Sequence, residues 1–309
     1  MNNLLRIVSA VMLSVISVVG CKEETSIVLQ SIELSQKSLD VAIGDTLFLD
    51  VVFCPSEASG EGLIWESSDQ KIVRVTGDTL LCVGPGNATI KVATTDGRFS
   101  DECKIGVVHT DDTIIYETVN GKPVQLYKTP KYLIRNDYFG DLGILKFSET
   151  LLSVPEQLMV NDTTVSRIIL PSKIKRIDSY AFDACYYLRE VLLPDGLEEL
   201  CPYSLAICGR FTEITLPTSL KHIHEGAFFG CFGLKRITIP YNIESIGIFA
   251  LKGCKRLEEI RIDSTIPPKG GGEMFDDTGN CPIVIPKGSL EVYGKTEYWK
   301  NYTDRFIER

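Results

Sequence analysis

Prolines recur at positions 171, 194, 217 and 240, and cysteines at 185, 208, 231 and 254, so both ladders share a period of 23 residues. Apolar positions keep the same register. Ile168, Val191, Ile214, Ile237 and Ile260 form one column, and Ile177, Leu200, Ile223 and Ile246 another. Agreement of four ladders on one period marks an internal repeat, which restricts the chain more than any local motif does. A unit this short cannot bury its own apolar edge, so successive units must stack, each covering the next. A solenoid of about 23-residue coils is expected.

One unit reads Leu234-Lys235-Arg236-Ile237-Thr238-Ile239-Pro240, followed by Ile243, Ile246, Ala250 and Cys254. The alternation predicts a strand that buries Ile237 and Ile239 and exposes Thr238. The full pattern, Leu-x-x-Ile-x-Leu-Pro-x-x-Leu-x-x-Ile-x-x-x-Ala-Phe-x-x-Cys, resembles the BspA-like (Treponema-type) leucine-rich repeats of bacterial surface proteins. Stepping back 23 positions from Ile168 and Leu170 lands on Leu145 and Phe147, while Leu151 and Val154 match Ile174 and Ile177. Stepping forward from Ile260 and Ile262 lands on Ile283 and Ile285. The leucine-rich-repeat solenoid is therefore expected over 145–290. Residues 109–144 hold a short polar linker, His109 to Thr113, and then Ile114 to Tyr127 with Asn120-Gly121 between apolar runs. That dipeptide predicts a cap hairpin. Residues 291–309, with Trp299-Lys300-Asn301-Tyr302 and Phe306-Ile307, read as the C-terminal cap.

Residues 31–108 have a different grammar. Short alternating runs (Leu47 to Val52, Ile72 to Val75, Ala88 to Val92, Lys104 to Val107) are separated by Ile43-Gly44-Asp45, Thr76-Gly77-Asp78, Gly84-Pro85-Gly86 and Asp96-Gly97. Strands at this spacing indicate a β-sandwich. Ser38 to Thr46, Ile64 to Asp69 and Val83 to Ile90 together resemble a group-two bacterial immunoglobulin-like domain. The resemblance implies that Trp65 is a buried core tryptophan and that the domain is a stalk. The expected fold class is mainly β: an immunoglobulin-like β-sandwich followed by the solenoid.

The N-terminal 21 residues suggest a compartment. A single Arg6 precedes the apolar or small stretch Ile7 to Val19, which is too short to span a bilayer stably and reads as a signal peptide. It ends in Val18-Val19-Gly20-Cys21, which resembles the lipobox of bacterial lipoproteins; the resemblance implies that Cys21 is acylated. Each buried methylene of an acyl chain adds about 0.8 kcal/mol of membrane affinity. Lys22-Glu23-Glu24, opening a tether over 22–30, resembles the surface-export signal of Bacteroidetes lipoproteins. The implied location is the outer membrane, lipid-anchored and exposed on the cell surface, with the anchor as the sole membrane contact.

The chain is acidic, at −9, and between Lys22 and Val108 seven basic residues face fourteen acidic ones. No basic stripe is present, so nucleic acid is not an expected partner. Composition, 44% apolar and 24% charged, is that of a globular chain. Ten cysteines in an exported protein first suggest disulfides. However, Cys185, Cys208, Cys231 and Cys254 occupy one repeat position, where parallel side chains in an apolar setting favour packed free thiols. Cys54, Cys82 and Cys103 allow one unassigned bridge, and Cys201, beside Leu200, sits in an exposed column. His222 and His224 flank Ile223 on one face, but no third ligand accompanies them, so no metal is expected. No hydrolase elbow, metalloprotease motif, phosphate loop or dinucleotide fingerprint occurs. Neither catalytic residues nor a cofactor are expected.

Three non-enzymatic functions stay open. The repeat resemblance implies a cell-surface adhesion or recognition protein that binds a protein or glycan on host or neighbouring cells through the solenoid face. A carbohydrate-binding accessory lipoprotein of a glycan uptake system is the second; a structural envelope protein is the third. For the first, the outward strand residues are Arg167 and Ile169, Glu190 and Leu192, Glu213 and Thr215, Arg236 and Thr238, Glu259 and Arg261. For the second, the aromatic loop patch is Tyr186, Tyr187, Phe229 and Phe232.

Overall fold

The computed structural model describes residues 28–58 and 62–309, which divide into two compact units between His109 and Thr110. Cys21 and the start of the tether lie outside the described residues. Among the described residues no helix is long and apolar enough to cross a membrane.

The first unit is all β: β1 (Ser31–Leu34), β2 (Ser38–Ala42), β3 (Thr46–Leu47), β4 (Val51–Cys54), β5 (Leu63–Ser67), β6 (Val73–Thr76), β7 (Thr79–Cys82), β8 (Gly86–Thr94) and β9 (Ser100–Val108). They form a four-stranded sheet β2-β9-β8-β5, a three-stranded sheet β3-β7-β6 and the pair β1-β4. Alternation decides the inner faces. On β8, Ala88, Ile90 and Val92 point inward, and on β9 Cys103, Ile105 and Val107 meet them. Cys82 and Cys103 are buried and unbridged. Trp65 is half-buried, not buried as expected. It sits on β5, the edge strand, paired only with β8, so no strand covers its other flank.

The second unit opens with β10 (Thr113–Thr118), β11 (Leu133–Phe139) and β12 (Leu142–Phe147). The hairpin expected at Asn120-Gly121 does not form; the hairpin is β11-β12, turning at Gly140-Asp141. Pro123 follows Asn120-Gly121-Lys122 and has no N–H to donate into a ladder, so the chain leaves the sheet there. Val124 is buried instead. Leu145 and Phe147 are buried as the repeat predicts, but their strand does not neighbour the first coil. The sheet order is β11-β12-β10-β14-β16, in which β10 runs antiparallel to both β12 and β14.

The coils then alternate between two parallel ladders. One sheet holds β13 (Ser153–Val154), β15 (Arg176–Ile177), β17 (Glu199–Leu200), β19 (His222–Ile223), β21 (Ser245–Ile246) and β23 (Lys269–Gly270) in unbroken order. The other strand of each coil is β14 (Val165–Ile169), β16 (Glu190–Leu192), β18 (Glu213–Ile214), β20 (Arg236–Ile239), β22 (Glu259–Ile262) and β24 (Ile283–Ile285). Partners such as Arg167 and Glu190, or Ile237 and Ile260, are one 23-residue period apart. The second ladder is interrupted between β16 and β18. The break falls where Phe211 stands at the position of Leu188, Leu234 and Leu257, and Ile214 just after it is only half-buried.

Inside the array the cysteines form the expected column of buried free thiols. Their role is not packing alone. Each Sγ–H donates to a carbonyl of the preceding coil: Cys185 to Met159 (3.0 Å), Cys208 to Phe182 (3.3 Å), Cys231 to Leu205 (3.2 Å) and Cys254 to Phe228 (3.2 Å). Burial pushes the thiols of Cys185 and Cys208 well above their ordinary range, and the contact with Cys231, then burial, does the same to Cys254. Main-chain bonds run coil to coil beside them, as in Phe182 N–H to Ser204 (2.9 Å) and Leu205 N–H to Ala227 (3.0 Å).

Two backbone positions per coil are left-handed. One column is Gln157, Tyr180, Tyr203, Gly226 and Phe249; the other is Asn161, Ala184, Ile207, Gly230 and Gly253. The next coil moves both by one, to Glu273 and Asp277, and β23 likewise pairs Ile246 with Gly270. The ladder is back in step at Ile260 and Ile283. The array closes on α1 (Leu290–Lys295), a 3-10 helix over Trp299–Arg305 and β25 (Phe306–Glu308), which pairs with β24. Trp299 is fully buried edge-on to Phe275 and Tyr293, and its Nε1–H donates to the Pro268 carbonyl at 2.7 Å.

Candidate functional site

The strand face of the second ladder presents the expected outward column, with departures. Glu190, Leu192, Glu213, Thr215, Arg236, Thr238 and Arg261 are exposed; Arg167, Ile169 and Glu259 are half-buried. Thr215 lies just past β18, outside any strand. Most of the charges neutralise one another. Arg167 bridges Glu190 (2.8 Å) and Glu117 on β10 (3.1 Å), Arg309 meets Glu259 (3.3 Å), Arg236 approaches Glu258 (3.5 Å) and Arg261 holds Asp263 (2.8 Å). Solvent-exposed pairs like these add little stability each. The apolar side chains Ile169 and Leu192 face out together, as register partners on adjoining strands.

The unbroken sheet carries a polar face. Glu198 accepts from Lys221 (2.8 Å) and Lys175 (3.2 Å), so one carboxylate ties two neighbouring coils and is held below its usual range by those lysines. His222 and His224 share this face with ring centroids 5.9 Å apart. His222 Nδ1 pairs with Ser245 Oγ (3.0 Å) and His224 Nε2 lies 3.4 Å from Glu199. Among the described residues no group of three ligating side chains is disposed to hold a metal. Cys201 is half-buried, and burial pushes its thiol up to about 11, with Asp178 adding to the effect. It is a thiol, not a thiolate, at neutral pH.

The third surface is the turn between each cysteine and the following strand. Its first two positions read Tyr186-Tyr187, Gly209-Arg210, Phe232-Gly233 and Lys255-Arg256 on successive coils. Tyr186 and Phe232 are exposed on either side of Gly209. A Cβ at Gly209 would lie 4.0 Å from the Tyr186 ring and 3.9 Å from the Phe232 ring, so the glycine floors a slot with an aromatic wall on each side. Arg210 extends over the ring of Tyr187, 5.6 Å from its centroid. Thr163, Tyr186, Tyr187, Gly209 and Arg210 line an open cleft of about 400 Å³.

Phe229 does not join this patch. It is half-buried and edge-on to Tyr203 (6.2 Å), which stacks on Tyr180 (5.3 Å). The Tyr203 ring also covers Gly226, where a Cβ would come within 2.4 Å of it. Its side-chain oxygen donates to Glu225 (2.9 Å); burial first, then that carboxylate, pushes its hydroxyl up to about 12. Tyr180 and Tyr203 stand in the left-handed column and Phe229 packs against it, so these rings pack on one another between coils. Gly209 and Arg210 are the residues that sequence reasoning missed. The signal was a glycine standing where both neighbouring coils carry rings, followed by a cation where the preceding coil carries Tyr187.

Residues 153–278 match the BspA type leucine rich repeat region in six copies, and residues 28–105 match the group 2 bacterial Ig-like domain. An uncharacterized protein of Bacillus cereus is 30% identical over 98 residues, which cover 30% of this chain and 66% of that protein. Among solved structures, the chain is similar to a leucine rich cell surface protein of Faecalibacterium prausnitzii. That match has 25% identity and a TM-score of 0.38, and covers 47% of this chain and 37% of the other. It is also similar to a leucine rich repeat protein of T. pallidum, at 20% identity and a TM-score of 0.40, covering 52% of this chain and 80% of the other. The chain thus spans 66% of that curated relative and little more than a third of the first structural one.

Proposed function

Because residues 153–278 form a BspA type leucine rich repeat region behind a group 2 bacterial Ig-like domain, we propose that the protein is a non-enzymatic recognition or adhesion protein of the cell surface. Cys21 carries its lipid anchor, the tether over 22–30 and the Ig-like unit act as spacer, and the solenoid binds a macromolecule on host or neighbouring cells. The observation that carries this reading is the outward pair Ile169 and Leu192. Leu192 is 40% exposed on β16, the last strand before the interruption of the second ladder, on a face whose charges are largely spent on one another. An apolar patch rimmed by charge suits a protein partner.

Cells displaying Leu192→Glu should lose adhesion to the host or neighbouring cells that the wild type binds, while the purified variant keeps the wild-type melting temperature. Full adhesion by that variant would remove the strand face from consideration. The anchor has its own test: Cys21→Ala should abolish acyl labelling and free the protein from membranes, and unchanged membrane association would sink the lipoprotein reading.

A further inference from the structure

We propose that the turn edge of the array is a binding site for an anionic glycan, with one uronate ring seated on Gly209 between Tyr186 and Phe232 and its carboxylate at Arg210. The proposal rests on the surface-recognition reading, but on a different face from Leu192. Three observations carry it. First, the slot is built by the repeat itself: rings on two coils flank a glycine on the coil between them, and all three solvent-facing rings, Tyr186, Tyr187 and Phe232, are more than a third exposed. Exposed rings with no apolar cover favour a ligand that has a flat C–H face and a polar rim, and a pyranose has both.

Second, the turn edge carries cations free of ion pairs, of which Arg210 lines the cleft. Arg210, Lys255 and Arg256 are exposed, and among the described residues none is joined to a carboxylate by an ion pair. In a chain of net charge −9 this is a local excess of cations. Arg210 is held by Tyr187 with its fork free for a bidentate carboxylate. Third, a second cation group lies further along the same edge. Arg210 and the Lys255-Arg256 pair are two coils apart, about 10 Å at the parallel-strand spacing. Flexible side chains let an acidic peptide reach the same cations, so the exposed rings, not the spacing, favour a sugar over a peptide.

Gly209 makes the idea testable without damaging the fold. Its backbone is not left-handed, and an added Cβ meets nothing closer than 3.8 Å. The experiment is calorimetry of the full chain with a galacturonate oligomer, with its methyl ester, and with a glutamate oligopeptide. Expected are binding of the galacturonate that weakens as salt rises, and a loss of about tenfold for each of Tyr186→Ala, Phe232→Ala and Gly209→Leu, at unchanged melting temperature. Arg210→Gln should erase the preference for the acid over its ester. Leu192→Glu should leave all of this intact, which separates this site from the strand face: its own loss of cell adhesion reports on that face alone. Failure of galacturonate to bind, equal binding of the ester, or indifference to Gly209→Leu overturns the proposal. So does tighter binding of the glutamate peptide with the same sensitivity to the variants.

Discussion

The middle coils and the two ends of the array bury their apolar edges by different means. From Cys185 to Cys254 each coil is covered by a copy of itself, and the same small group donates to the same carbonyl at every step. At the ends no copy is available, so a few large side chains do the covering. Tyr116 lies against Gly143 and donates to Asn136 at one end; Tyr293, Trp299 and Tyr302 close the other. A repeat spreads its stability over many similar contacts between nearest neighbours, whereas a cap concentrates it. Single substitutions should therefore hurt most at the ends and least in the middle.

Trp299→Ala is the severest test of that contrast. It removes a fully buried ring and a 2.7 Å hydrogen bond, and should cost about 3–5 kcal/mol in denaturant titration. A loss near that of a single coil residue would erase the distinction. In the middle, Gly226→Ala is the exception that sharpens the rule. It drives a methyl into the Tyr203 ring at a left-handed position, for an expected cost of about 1–3 kcal/mol. Cys231→Ala should lose about 1–2 kcal/mol, and Cys231→Val, which fills the space without a donor, should do no better.

The thiol column also predicts a pH dependence. Cys185, Cys208 and Cys254 have folded values raised above their ordinary value of 9.0. The folded state therefore holds its thiol protons longer than the unfolded one. Stability is full below about pH 9 and falls as pH rises through the folded values, where only the unfolded chain gives up protons. Thermal melts from pH 7 to pH 10.5 should show the fall, and replacing the three residues with Ala should make it shallower, the remainder coming from Cys82, Cys103, Cys201 and Cys281, whose thiols burial also raises. The smallest expected effect is at Ala184, a left-handed alanine in the column where two other coils use glycine. Ala184→Gly relieves backbone strain but loosens the unfolded chain, for a net gain below about 1 kcal/mol. A clear loss would mean that the methyl group packs more usefully than its backbone angle suggests.

What could be read from the sequence followed the same division. The coil period, the two columns of inward aliphatics and the free thiols were legible because periodicity averages over several copies. The N-terminal cap was not. Asn120-Gly121 is a sound local hairpin signal, yet Pro123 two residues later removes the donor that a ladder needs, and the hairpin moved to Gly140. Phe229 was grouped with Tyr186 and Phe232 by closeness in sequence, although its packing against Tyr203 follows from the left-handed turn, which leaves no mark when Tyr, Phe and Gly all occupy it. Arg167 pairs with Glu190, one period away, but also with Glu117, on a strand that no repeat arithmetic points to. The thiol-to-carbonyl bonds were also hidden, because a cysteine in an apolar column reads as a small hydrophobe.

The paired left-handed columns have a consequence for how such a gene changes. They hold their places coil after coil, and the one extra residue before Gly270 is taken up between the two ladders and given back before Ile283. A codon gained or lost within a turn has no such slack, since it would put a side chain of the wrong shape at a left-handed angle. Duplication or deletion of one whole coil disturbs nothing but the distance between the caps. Lineages carrying this gene should therefore differ by entire coils, and each coil gained adds one more step to the tyrosine, glycine and cation edge.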